Sequence, residues 1–139
     1  MSRRDGGAAL VEAAMVIPFL ILLVLGIVDT AFLVTEQLEV RAAAREGGRH
    51  AATIAGDTNF VVGRVCEHFD SGDIVSISLS GASGALGDEL ELTVAKQTEP
   101  ITGLTDVFFN PPVTLSSTAT FRIERLPVPW SDAVGEGCP

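Results

Sequence analysis

The sequence predicts an α+β protein. One long N-terminal transmembrane helix continues into a small domain with a second helix and a three-stranded antiparallel sheet. Three observations predict this. Every residue from 13 to 28 is apolar, Gly or Pro, and after Asp29 and Thr30 the apolar run resumes over 31–34. Helix-forming residues then extend past the run, and a second stretch repeats apolar residues at helical spacing. From about Val75 onward the apolar period changes from helical to two.

Residues 13–34 as a helix would be roughly 33 Å long at about 1.5 Å per residue. That is close to the roughly 30 Å hydrocarbon core of a bilayer. A buried core helix is the competing reading, but a chain of 139 residues has no core large enough to surround it. Mean hydropathy is +0.38, and the excess sits in this N-terminal run. Arg3 and Arg4 precede the run with only Asp5 against them, so the short basic flank stays cytoplasmic and the C-terminal domain lies outside. A secretory signal peptide fits poorly. The apolar stretch is too long, Glu12 sits at its start, and the alanines at 42–44 lie too far beyond it for a cleavage site. The Ser2-Arg3-Arg4 start has the look of a twin-arginine signal, but Asp5-Gly6-Gly7 follows where apolar residues are expected.

Helical character continues through Leu33, Glu36, Gln37, Val40 and the alanines at 42–44. Gly47-Gly48 weakens it and Gly56-Asp57 ends it. Arg41, Arg45, Glu46 and Arg49 form a charged helix face, either solvated or turned to a partner. Asp57 or Thr58 caps a second helix over 58–69, in which Val61, Val62, Val65, Cys66 and Phe69 recur at helical spacing.

Period two then takes over. Val75, Ile77 and Leu79 alternate with Ser76, Ser78 and Ser80. Leu90, Leu92 and Val94 alternate with Glu89, Glu91 and Thr93. Leu115, Ala119, Phe121 and Ile123 alternate with Ser116, Thr118, Thr120, Arg122 and Glu124. These are three half-buried strands. The Gly-rich stretch 81–87 joins the first two as a hairpin. It lacks the Lys and following helix of a phosphate-binding loop. The connection 98–112 carries an apolar cluster of Leu104, Val107, Phe108 and Phe109, read as a lid over the sheet or as a subunit contact. The tail 127–139 is expected to be irregular, with Trp130 as its anchor. The domain plan is a leader at 1–7, the transmembrane helix at 8–34, a helical stalk at 35–56, an extracytoplasmic α+β domain at 57–126, and the tail.

Glu12 is costly at the edge of a membrane span, and such residues point to function. The alternative is that it snorkels to the headgroups. Gly6-Gly7 ends a short basic leader. A cut after Gly7 would leave a free ammonium on Ala8, one helical turn from Glu12 and near the positive end of the helix dipole. In a bundle of such helices, Glu12 of one subunit would meet the Ala8 ammonium of a neighbour. A desolvated pair of that kind fixes axial register, because a slip leaves both charges unpaired. Pro18 removes the bond to the Ala14 carbonyl and is expected to kink the helix. That bend would either help packing into a filament or be harmless.

Residues 7–18 read Gly-Ala-Ala-Leu-Val-Glu-Ala-Ala-Met-Val-Ile-Pro. Together with Leu25-Gly26-Ile27-Val28-Asp29 and the block 43–51, this resembles TadE-like pilus-assembly proteins of the tight-adherence (type IVb, Flp) system. The sequence departs in two places, with Ala13 where many relatives carry Phe and Gly48 where Ala is usual. The resemblance implies a pseudopilin with a pilin-like domain, cut after Gly7 by a prepilin peptidase. It implies partners among other pilins or pseudopilins and the tight-adherence secretion platform, and no catalysis by this chain.

A formal net charge of −9 argues against nucleic acid as a partner, because phosphate binding needs a basic face. Membrane lipid is the expected non-protein partner. No cofactor is expected. Cys66-Glu67-His68 is a poor metal site, since no second cluster completes it. His50 and His68 follow no nucleophile or ligand motif, and no hydrolase, zinc-protease or Walker signature appears. An enzyme is therefore not expected, and a secreted enzyme precursor lacks a catalytic constellation. A permanently anchored extracytoplasmic binding module is the alternative function. Cys66 and Cys138 permit a disulfide in an oxidising compartment, which would tie the tail to the second helix.

Overall fold

The computed structural model describes residues 5–53, 58–80, 86–103, 111–124, 134–136 and 138. Helix α1 is Asp5–Thr53, a single element of 49 residues that passes through Pro18. It is long and apolar enough to cross a membrane. Its residues 7–24 are all exposed, whereas Val40, Ala43, Ala44 and Ala51 are buried in the domain. The small side chains let the helix approach the sheet closely. The end of α1 is sealed from two sides. The Thr53 hydroxyl donates to the carbonyls of Arg49 and His50, and the Glu124 N–H reaches the Ala52 carbonyl. The Ala52 carbonyl is one of the last-turn carbonyls that a helix leaves without an internal partner.

Helix α2 is Thr58–Cys66, shorter than the expected 58–69. Residues 68 and 69 continue as tightened turns, with their N–H groups bonded three residues back. Val61 and Val65 are the buried face of α2, which packs on α1.

The three expected strands are present as β1 (Ile74–Ser80), β2 (Glu89–Thr98) and β3 (Val113–Arg122). All pairings are antiparallel, with Leu92 opposite both Leu79 and Ala119. The inner face of the sheet carries Val75, Ile77, Leu79, Leu90, Leu92 and Val94, all buried. Helix α1 lies across β2 and β3 on that face. Ser76, Ser78, Glu91, Thr118 and Thr120 face outward, as alternation requires.

The tail corrects one expectation. Instead of being irregular throughout, it contributes β4 (Val134–Glu136), which pairs with β1 and makes the order β3-β2-β1-β4. An uncovered β1 edge would present unpaired N–H and carbonyl groups, and three residues suffice to cover part of it. Cys138 is held two residues beyond β4 by its bond to Cys66. The hairpin tip 81–85, the cluster Leu104, Val107, Phe108 and Phe109, the Gly56-Asp57 stop, and Trp130 lie outside the described residues.

Candidate functional site

The residues singled out at the membrane end all lie on α1. Gly7 and Ala8 occupy its first turn, one turn before Glu12. The early N–H groups of a helix have no helical partner, and Gly6 and Gly7 are poor helix formers. This turn therefore unwinds at little cost. Glu12 is exposed and makes no hydrogen bond or ion pair among the described residues. Ala8 and Glu12 share one helix face by their four-residue spacing. Leu10, Val11, Met15 and Phe19 around them are exposed as well. This half of α1 packs on nothing among the described residues, so its apolar surface is open to lipid or to other helices.

At the outer end of the apolar run, Asp29 is fully buried. One of its carboxylate oxygens accepts a hydrogen bond from the Thr102 N–H at 3.0 Å. The other accepts one from the Thr102 hydroxyl at 2.5 Å. Gly103, which follows, has a φ of +65°, a left-handed conformation suited to glycine in a tight turn. Thr102 lies 73 residues from Asp29, so sequence reading could not have paired them. A carboxylate inside an apolar run was the available signal that some partner had to exist.

About two turns further along α1, Lys96 of β2 forms a second clasp. Its ammonium reaches Glu36 at 2.5 Å and Asp73 at 3.0 Å, and stands 5.6 Å from the centre of the Phe69 ring. The Lys96 side chain is only 7% exposed. Burial alone would push the Lys96 pKa below its usual value. Contact with the carboxylates of Glu36 and Asp73 outweighs burial and holds it above. Lys96 is the chain's only lysine, and it follows Leu90, Leu92 and Val94 on the inner face of β2. A charge at the fourth apolar position of a strand was the sequence-level sign of this cluster.

Cys66 and Cys138 are joined by a disulfide, with Cα atoms 5.4 Å apart. Cys66 is thereby committed to the disulfide, and Glu67 pairs with Arg64 at 2.8 Å. On the charged face of α1, Glu46 bonds His50 at 3.0 Å and lies 3.6 Å from Arg49. Arg41 and Arg45 are exposed. No pair of these groups is arranged as a nucleophile and base.

These features define a class: a small disulfide-closed α+β domain carried on one end of a helix whose other end fits a membrane anchor. Residues 7–49 match the model of the TadE-like protein family. The match spans the first two blocks that carried the resemblance and all but the last two residues of the third, and it bears the resemblance out. No curated protein and no solved structure matches the chain.

Proposed function

We propose that this chain is a non-enzymatic minor pilin or pseudopilin of a tight-adherence (Flp, type IVb) pilus. It is held in the membrane by α1 with its N-terminus cytoplasmic and its domain outside, and a prepilin peptidase processes it after Gly7. The observation that carries the reading is the exposed half of α1, which packs on nothing among the described residues. It bears Gly7, Ala8, Glu12 and Pro18 in the segment that matches the TadE-like family. Lipid covers this surface before assembly, and other pilins or pseudopilins and the secretion platform cover it afterwards. Processing creates the Ala8 ammonium. Glu12 of a neighbouring subunit then neutralises it inside the membrane and sets the axial register.

Two measurements test this. Intact mass of the membrane-extracted protein should correspond to a chain beginning at Ala8. A chain that retains residues 1–7 would point instead to a permanently anchored binding module. Glu12→Gln should be cleaved normally yet lose pilus assembly, scored by surface piliation. Normal piliation in that variant would remove the register role.

A further inference from the structure

Two placements of α1 fit a bilayer equally well by length. Residues 13–34 give roughly 33 Å and residues 8–28 roughly 32 Å at about 1.5 Å per residue, against a hydrocarbon core of roughly 30 Å. The packing of the domain separates them. Shielding of one face of the helix begins at Leu25 and Gly26, and on that face Asp29 is fully buried. The loop 99–103 is held at that level by the two hydrogen bonds from Thr102 to Asp29. If the span ran to Val34, this loop would lie about 8 Å below the outer hydrocarbon boundary, given the helical rise. Irregular backbone is not tolerated at that depth when it faces lipid. With the boundary at Val28, the same loop lies at the membrane surface. The next polar groups on α1 are already satisfied, since the Thr30 hydroxyl donates to the Gly26 carbonyl and that of Thr35 to the Ala31 carbonyl.

We infer that the hydrocarbon span is residues 8–28 and that the loop 99–103 rests on the outer lipid surface, with Ile101 as its contact and the Asp29–Thr102 clamp fixing its depth. Ile101 is 65% exposed, next to Thr102 of the clamp. An apolar side chain there gains by entering the boundary between headgroups and acyl chains. Glu99 on the same loop is exposed and acidic, so the contact is apolar and does not depend on anionic headgroups. This placement rests on the membrane-anchor part of the proposed function and deepens it. Glu12 then lies about 6 Å inside the inner boundary, by the helical rise, where a charge is poorly hydrated and pairing with an ammonium matters most.

The chain has no free thiol among the described residues, and Cys66 and Cys138 are bonded to each other, so single introduced cysteines report position. The full chain is reconstituted in phosphatidylcholine vesicles, and a membrane-impermeant maleimide is added outside. Ser78→Cys, on the exposed face of β1, measures the outward-facing fraction. Ile27 and Val34 are exposed to nearly the same degree in the isolated chain, 60% and 54%. Any difference between them therefore reports lipid. Val34→Cys should label like Ser78→Cys, whereas Ile27→Cys should lose labelling. A fluorophore on Ile101→Cys should be quenched by lipids that carry a nitroxide at the headgroup. Protection of Val34→Cys to the level of Ile27→Cys, or an unquenched probe at position 101, would overturn the placement. Leu20→Cys separates the two levels of the argument: if it labels freely, the membrane anchor itself is wrong and the placement falls with it.

Discussion

Lys96 shows how one side chain joins three parts of the chain. Its ammonium is met by Glu36 of α1 and by Asp73 in the turn before β1. The Glu36 side chain is 13% exposed and that of Asp73 25%. Replacing Lys96 with Met keeps much of the volume and removes the charge. Two shielded carboxylates would then face each other without a cation. The expected loss is about 3 kcal/mol, at the low end for breaking a buried pair because Asp73 retains contact with water. Thermal unfolding of the detergent-solubilised protein measures it. The pH dependence has a definite sign. The folded-state pKa of Lys96 lies above its unfolded value, so its contribution is fully present below about pH 10.4 and is lost as pH rises through the higher folded value. The gap in melting temperature between the native protein and Lys96→Met should therefore hold from neutral pH to about pH 10 and narrow above it. A gap that narrows near neutrality would mean the amine is not held as the structure shows. The charge of Lys96 was visible in the sequence. Its partners were not, because Glu36 and Asp73 are brought to it only by the docking of α1 and by the turn into β1.

At the scale of elements, the junction between α1 and the sheet depends on two adjacent glycines that the sequence alone marks only as weak helix formers. A methyl group at Gly47 would lie within 2.4 Å of a Val65 methyl and 2.8 Å of a Leu92 methyl. Both neighbours are fully buried, on α2 and β2, and neither has room to withdraw. A methyl at Gly48 would lie within 1.9 Å of one edge of the Phe121 ring, which is half-buried on β3 and so less confined than Val65 and Leu92. Alanine improves helix propensity by about 1 kcal/mol at either position. At Gly47 overpacking of about 1–3 kcal/mol should outweigh that gain. At Gly48 the two should come closer to cancelling. Adding Phe121→Leu to Gly48→Ala should turn the pair stabilising relative to Phe121→Leu alone, because the ring occupies the place where the methyl would sit. A double-mutant cycle by thermal unfolding checks this, and strict additivity would contradict the packing. The strands themselves were legible because alternation of Val, Ile and Leu with Ser, Thr and Glu is a direct image of the pleat. Strand β4 was not, since three residues with a central Gly carry no period, and the pairing with β1 that creates it is set by tertiary contact.

For the whole molecule, the disulfide connects the fold to its compartment. Cys66 ends α2, and Cys138 follows β4 after a separation of 72 residues. In the chain-entropy view, closing a loop of that length stabilises the folded state by roughly 4 kcal/mol. The gain depends on an oxidising environment, because cytosolic thiols are kept reduced. The basic flank at Arg3 and Arg4 argues for a cytoplasmic N-terminus, so α1 as a single span would carry the domain outside, where the bond can form. Orientation and disulfide thus make one joint prediction. Cells lysed directly into denaturant with a maleimide, without reductant, should yield protein with neither cysteine modified. Reduction before alkylation should add two labels. Two labels without reduction would mean that the domain matures in a reducing compartment, and the proposed orientation would fall. The paired variant Cys66→Ser with Cys138→Ser then separates topology from folding. It should still insert with the domain outside, since the basic flank and α1 are unchanged. It should melt at lower temperature, and its amide exchange should be faster first along the β1 edge that β4 covers, because β4 is held there by three residues of pairing and by this bond. Uniform loss of protection across β2 and β3 would show that the tail supports the entire sheet rather than one edge of it.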